Sequence, residues 1–218
     1  MFAWFNKHAE LVVVILLGLV SVSTAYTSFQ SSLYDSQMAG AYATGGTFKT
    51  EAESLYLEAN QQYVQDAQTL TALDELNVEI ENTSGAQAAL AQAKYDSVWS
   101  TSVSSVFAEA IDRANAETDS TGTYVNPQDD QAYLDDLFGA YDAKDAESRT
   151  QLALGDEYNA RGDKLTLYTV LMALSLFLLG VAAVVKVTKT RFILCAMAMV
   201  IFTIAAAMTA MIPFVGVG

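Results

Sequence analysis

Residues 165–185 read LTLYTVLMALSLFLLGVAAVV, 21 consecutive positions without a charged side chain. A helix needs about 20 apolar residues to cross the hydrocarbon core of a bilayer, so this stretch reads as a membrane span. Downstream, residues 192–218 add a second uncharged stretch, in which Pro213 is expected to end or loosen the helix. Lys186-Val-Thr-Lys-Thr-Arg191 separates the two as a short basic turn, so together they predict a helical hairpin. Upstream, no charge falls between Leu11 and Tyr34. Ser23-x-Ala25 resembles a signal-peptide cleavage site, but the length of the uncharged run favours a retained anchor.

Charge separates these stretches from the rest of the chain. The sequence has 218 residues, 52% of them hydrophobic, with 25 acidic and 11 basic side chains. Nearly all the acids lie between Asp35 and Asp163, and outside that segment the one acid is Glu10. Such a distribution excludes an ordinary cytosolic enzyme and a disordered acidic tail. It also argues against a nucleic-acid binder, which needs clustered Lys and Arg against phosphates.

The acidic segment reads as helical. Ala, Glu, Gln, Leu and Asp dominate it, and Pro127 is its single proline. From Thr47 to Glu81, Ala52, Tyr56, Ala59, Tyr63, Ala67, Leu70, Leu73, Asn77 and Ile80 follow one another at steps of three or four. That spacing predicts a coiled-coil-like seam rich in Ala and Tyr. Asn82-Thr-Ser-Gly85 should close this helix, and the first span should extend outward toward Gly45-Gly46. Ala86–Ala116 reads as the next helical segment, with Trp99, Val103, Phe107 and Ile111 at steps of four, and Glu117–Asn126 as a polar loop. Asn126-Pro127 then reads as an N-cap followed by Pro at the first helical position. No strong breaker follows before Val185, so one long helix is expected to run from the acidic segment into the second span.

The expected class is an all-α membrane protein with three transmembrane helices and a helical extracytoplasmic domain continuous with them. Its expected divisions are a cytoplasmic N-terminus (1–10), a first span (11–34), the acidic domain (35–163), a second span (164–186), a basic turn (187–191) and a third span with the C-terminus (192–218).

Residues able to carry chemistry are sparse. His8 is the sole histidine and has no sequence neighbour to act with; Cys195, the sole cysteine, falls inside an apolar stretch that keeps a thiol inert. Asp74-Glu75, Asp129-Asp130 and Asp135-Asp136 pair carboxylates, and Glu117-Thr-Asp119-Ser-Thr-Gly122 resembles the start of a calcium loop, but Gln128 stands where the closing Glu is needed. The spans hold no ionisable side chain of the kind that relays protons or ions. The sequence therefore predicts no catalytic residue, no cofactor and no metal. Ala206 and Ala210 form a small-xxx-small pair suited to close helix approach. With Tyr56, Tyr63 and Leu70 of the seam, they are the expected oligomer-interface residues.

Ala153-Leu-Gly-Asp-Glu-Tyr-Asn-Ala-Arg-Gly-Asp163, Leu167-Tyr-Thr-Val-Leu171 and the run from Ala173 to Gly180 resemble a group of uncharacterised bacterial three-span membrane proteins. That group has an N-terminal span, a helical extracytoplasmic segment and a C-terminal two-span hairpin. The resemblance implies a bacterial inner-membrane protein of this layout and carries over no catalytic residue; the strongly acidic segment departs from a typical member.

The function expected is a non-enzymatic structural or accessory protein of the lipid bilayer, a homo-oligomer or a subunit of a larger membrane complex. An extracytoplasmic receptor or sensor acting through a membrane partner, and an oligomeric channel, are the alternatives. Basic residues flanking spans collect on the cytoplasmic side. Lys7, Lys186, Lys189 and Arg191 therefore place the basic turn inside and the acidic segment outside. In intact cells, an impermeant thiol reagent should label Ser84→Cys and spare Thr188→Cys; the opposite pattern inverts the topology.

Overall fold

A computed structural model describes residues 2–216, with side chains from residue 10 onward. The lone His8, Lys7 and the aromatic side chains Phe2, Trp4 and Phe5 lie outside the described side chains. The described chain is helical without strands: α1 (Phe2–Asn82), α2 (Ala86–Ser102), α3 (Ser105–Thr121), a 3₁₀ turn (Pro127–Asp129), α4 (Gln131–Val184) and α5 (Thr188–Ala210). Stretches of α1, α4 and α5 are long and apolar enough to cross a membrane. The chain divides into two compact units, an apolar unit of residues 1–44 with 150–218 and an acidic unit of residues 45–149.

In the apolar unit, α1 buries Val13, Val20, Thr27, Tyr34 and Ala41 at steps of seven, with Gln30 and Ser31 buried between them. On α4, Leu165, Met172 and Leu179 alternate with Tyr168, Ser175 and Ala182, and α5 contributes Cys195, Ala198, Phe202 and Ala205. A spacing of three and four keeps one face of a helix turned toward its neighbours. The pairs Thr27–Met172, Ser31–Thr166 and Tyr42–Asp156 run in opposite chain directions, so α1 and α4 pack antiparallel here. Gly155 permits the approach: a Cβ there would lie 2.6 Å from the Tyr42 ring. This glycine thus seats a neighbouring side chain inside an unbroken helix. The large side chains facing away, among them Leu11, Ile15, Val170 and Phe177, are exposed and apolar.

In the acidic unit, α1 buries Gly45, Ala52, Ala59, Asp66 and Leu73, again at steps of seven, with Thr69 buried between the last two. Leu73 joins Phe107, Ala110 and Ile111 of α3 and Tyr133 of α4 in a core flanked by Tyr63, Leu70, Trp99 and Leu134. Asp66 is fully buried in this seam. Its carboxylate accepts the Tyr133 hydroxyl at 2.7 Å and the Gln62 amide at 2.9 Å. Burial and this carboxylate push the Tyr133 phenol far above its ordinary range. Asp145, also buried, receives Lys49 at 2.9 Å and Arg149 at 2.6 Å; the Lys49 bond holds its carboxyl below the usual carboxylate range.

Several boundaries differ from those expected. Helix α1 does not stop near Gly45-Gly46 but passes through them, the Gly45 carbonyl taking the Ser148 hydroxyl at 2.8 Å. The 86–116 segment is two helices, because Ser104 starts a new one by accepting the Phe107 N–H. Residues 117–121 are helical rather than loop, and α3 ends only at Gly122, whose left-handed conformation (φ 70°) closes the cap. Asn126-Pro127 opens a 3₁₀ turn instead of α4. Asp130 begins that helix by accepting the Tyr133 N–H, and bonding to Arg113 and to this N–H lowers its carboxyl to about 2. The turn between the last two helices is shorter than residues 187–191. Lys189 and Arg191 lie inside α5, and the Arg191 Nε donates to the Val185 carbonyl left free at the end of α4. Helix α5 stops at Ala210, three residues before Pro213, so residues 211–216 are not part of a span helix.

Replacing Asp66 with Leu leaves a buried phenol without its acceptor, a defect worth about 1–3 kcal/mol. Chemical denaturation of the full chain in detergent should show this loss for Asp66→Leu, with most of it recovered when Tyr133→Phe is added. Equal stability of Asp66→Leu and the parent would remove the pair from the core.

Candidate functional site

Tyr56, Tyr63 and Leu70, the expected interface residues of the seam, are brought together with side chains of their own chain in the acidic unit. Tyr56 meets the rings of Phe138 (5.9 Å) and Tyr141 (5.3 Å), and Tyr63 meets Tyr133 (6.4 Å) and Phe138 (6.5 Å). Leu70 packs against the core around Leu73 and Phe107. Ala67, placed in the seam by its spacing, gives way to Asp66 as the fully buried residue.

Ala206 and Ala210 lie at a different place, in the wall of a groove of about 690 Å³ in the apolar unit. Val22, Tyr26 and Thr27 of α1 face them, Met172 of α4 forms the base, and the segment following α5 closes one end with Met211 to Phe214. Small side chains on α5 leave the recess open, and no element packs into it.

That closing segment is strapped to α1. After Ala210, the Met211 and Ile212 N–H groups still reach back to Met208 and Thr209. Pro213 cannot continue the helix, and its ring disfavours helical geometry at the residue before it. The freed backbone is then taken up by side chains. The Tyr34 hydroxyl donates to the Pro213 carbonyl at 2.7 Å. The Gln30 side-chain amide donates to the Val215 carbonyl at 3.2 Å and accepts the Val215 N–H at 3.0 Å. An amide side chain offers one donor and one acceptor side by side, so it satisfies both polar groups of one residue. Gln30, Tyr34 and Val215 are all buried. Ser31, one residue on, donates to the Gly162 carbonyl and pairs with the Thr166 hydroxyl. Gln30 and Ser31 stand inside a long uncharged run, a signal that composition alone passes over.

The other sequence candidates do not converge. Cys195 is buried in the apolar core. Glu117 and Asp119 sit on the last turns of α3 rather than in a loop. Asp130 is engaged by Arg113, Asp135 accepts the Gln131 amide, and Asp136 borders a polar groove of about 420 Å³ with Glu58, Gln61, Gln62 and Gln65. Among the described residues, no group of three or more His, Cys, Asp or Glu side chains is placed to hold a metal ion.

Gln30→Ala removes both bonds to Val215 while leaving the helix former. Hydrogen exchange at the Val215 amide should accelerate strongly, with amides around Val20 and Met172 unchanged; continued protection at Val215 would show that the strap is held by other groups. No family model, no curated protein and no solved structure matches this chain, so the site stands on its own geometry.

Proposed function

We propose that this chain is a non-enzymatic structural or accessory integral membrane protein of bacterial type. In this reading its acidic unit faces outside the cytoplasm and joins to copies of itself or to other subunits of a membrane complex. One observation carries the assembly. On α1 of the acidic unit, Leu57, Val64 and Val78 are 66%, 46% and 59% exposed, and Thr71 fills the gap in their spacing of seven. Tyr63 and Leu70 of the expected seam pack within the chain while Tyr56 stays 45% exposed, and this neighbouring stripe adds an exposed apolar face beside it. A seven-residue apolar repeat fits a second helix with the same repeat, and like stripes match across a two-fold axis. Gln61 and Gln68 beside Val64 are uncharged, so repulsion between copies is least there, whereas Glu53 flanks Leu57 and Asp74, Glu75 and Glu81 flank Val78. The basic residues Lys186, Lys189 and Arg191 support the proposed orientation.

The polar groove bordered by Gln61, Gln62 and Asp136 favours a second reading, in which the acidic unit is a receptor or sensor for a small polar ligand. Mass determination in mild detergent separates the two. Assembly predicts a multiple of the chain mass, or a reproducible partner, and Leu57→Glu, Val64→Glu and Val78→Glu together should reduce it to a monomer that keeps its helicity. A monomeric, partnerless parent chain would sink the assembly reading.

A further inference from the structure

We infer that the groove walled by Ala206, Ala210 and the C-terminal strap is a binding site for one acyl chain of a membrane phospholipid. The inference rests on the membrane reading and goes beyond it, because it separates one retained chain from the lipid that merely surrounds a span.

The lining decides the ligand class. Ser23, Thr27 and Thr209 are polar by composition, yet each hydroxyl is already bonded to the carbonyl four residues earlier on its own helix. Thr27 also reaches the Met172 sulfur at 3.6 Å. With those hydroxyls turned back, the side-chain surface of the groove is mainly methyl, thioether and aromatic, and a polar ligand would find few side-chain groups to replace its hydration. On the strap, Tyr34 takes up the Pro213 carbonyl, and Gln30 takes up both backbone groups of Val215 behind it. About 690 Å³ falls within the roughly 300–1,000 Å³ range of small-ligand pockets.

The surroundings decide the source. Lining residues Val22 and Phe214 are 72% and 69% exposed, and Leu19 and Val170 on the helices that wall the groove are exposed and apolar as well. A groove opening sideways from such a face is reached from hydrocarbon, where phospholipid chains are the abundant solute. Met172 and Met211, unbranched and polarizable, adapt to a flexible chain. Tyr26, the remaining polar side chain of the lining, has the amphipathic character favoured at the headgroup level.

The test uses the full chain in vesicles of phosphatidylethanolamine and phosphatidylglycerol carrying a phospholipid with a photoactivatable acyl chain. After illumination, labelled positions are mapped by mass spectrometry. Labelling should concentrate on 22–27 and 206–214. Ala210→Trp, which fills the groove, should cut it there to the level of distant lipid-facing residues such as Val14, Phe177 and Ile193, whose own labelling stays constant. Ala206→Leu serves as the milder variant if the Trp protein does not fold, and should give the same loss. Labelling spread over all exposed apolar residues, or undiminished by the folded variants, overturns the site while leaving the membrane reading intact. Absence of label at Val14, Phe177 and Ile193 as well overturns the membrane reading itself.

Discussion

A single geometric constraint governs both units: a long helix can turn only a narrow stripe toward its neighbours. On α1 that stripe is a buried residue at every seventh position, Val13 to Ala41 in one unit and Gly45 to Leu73 in the other. The spacing shortens to four between Ala41 and Gly45, an offset of the kind that resets a repeat. Most of what lies off the stripe is exposed, with Gln30, Ser31 and Thr69 buried beside it, so the exposed face and the stripe differ in composition.

Both units hide polar side chains beside apolar ones. Thr27, Gln30, Ser31 and Ser175 are buried in the apolar unit, bonded to carbonyls, hydroxyls or sulfur. In the acidic unit Asp66, Asp145 and Ser148 are buried as well, each hydrogen-bonded, beside the apolar core of Leu73, Phe107 and Ile111. Among the described residues, every buried side-chain nitrogen and oxygen has a hydrogen-bond partner.

The three apolar stretches and the helical class were legible because length and the absence of charge are read directly from composition. Ala52, Ala59 and Leu73 were legible as a seam because small and apolar residues recur at the right spacing. Asp66 was not, since an acid in an acidic segment looks like one more solvated group until Tyr133 is brought to it by the fold. The break at Ser104 was hidden for a similar reason, as Ser-rich sequence suits a helix cap and a helix surface alike. The strap was the least legible part. Pro213 announced that the helix ends, but the partners that hold the segment lie some 180 residues earlier, and no local pattern links Gln30 to Val215.

The buried carboxylate carries a consequence for alignment. Gly45, Ala52 and Ala59 are nearly interchangeable occupants of the α1 stripe, and sliding the helix by one repeat would exchange one small residue for another. A purely apolar column of that kind has several almost equivalent settings. Asp66 breaks the degeneracy, because this setting places it against the Tyr133 hydroxyl, and a shift by one repeat parts it from that donor and leaves a buried phenol without its acceptor. The pair thus works as an index mark, selecting one alignment among several that packing alone would accept.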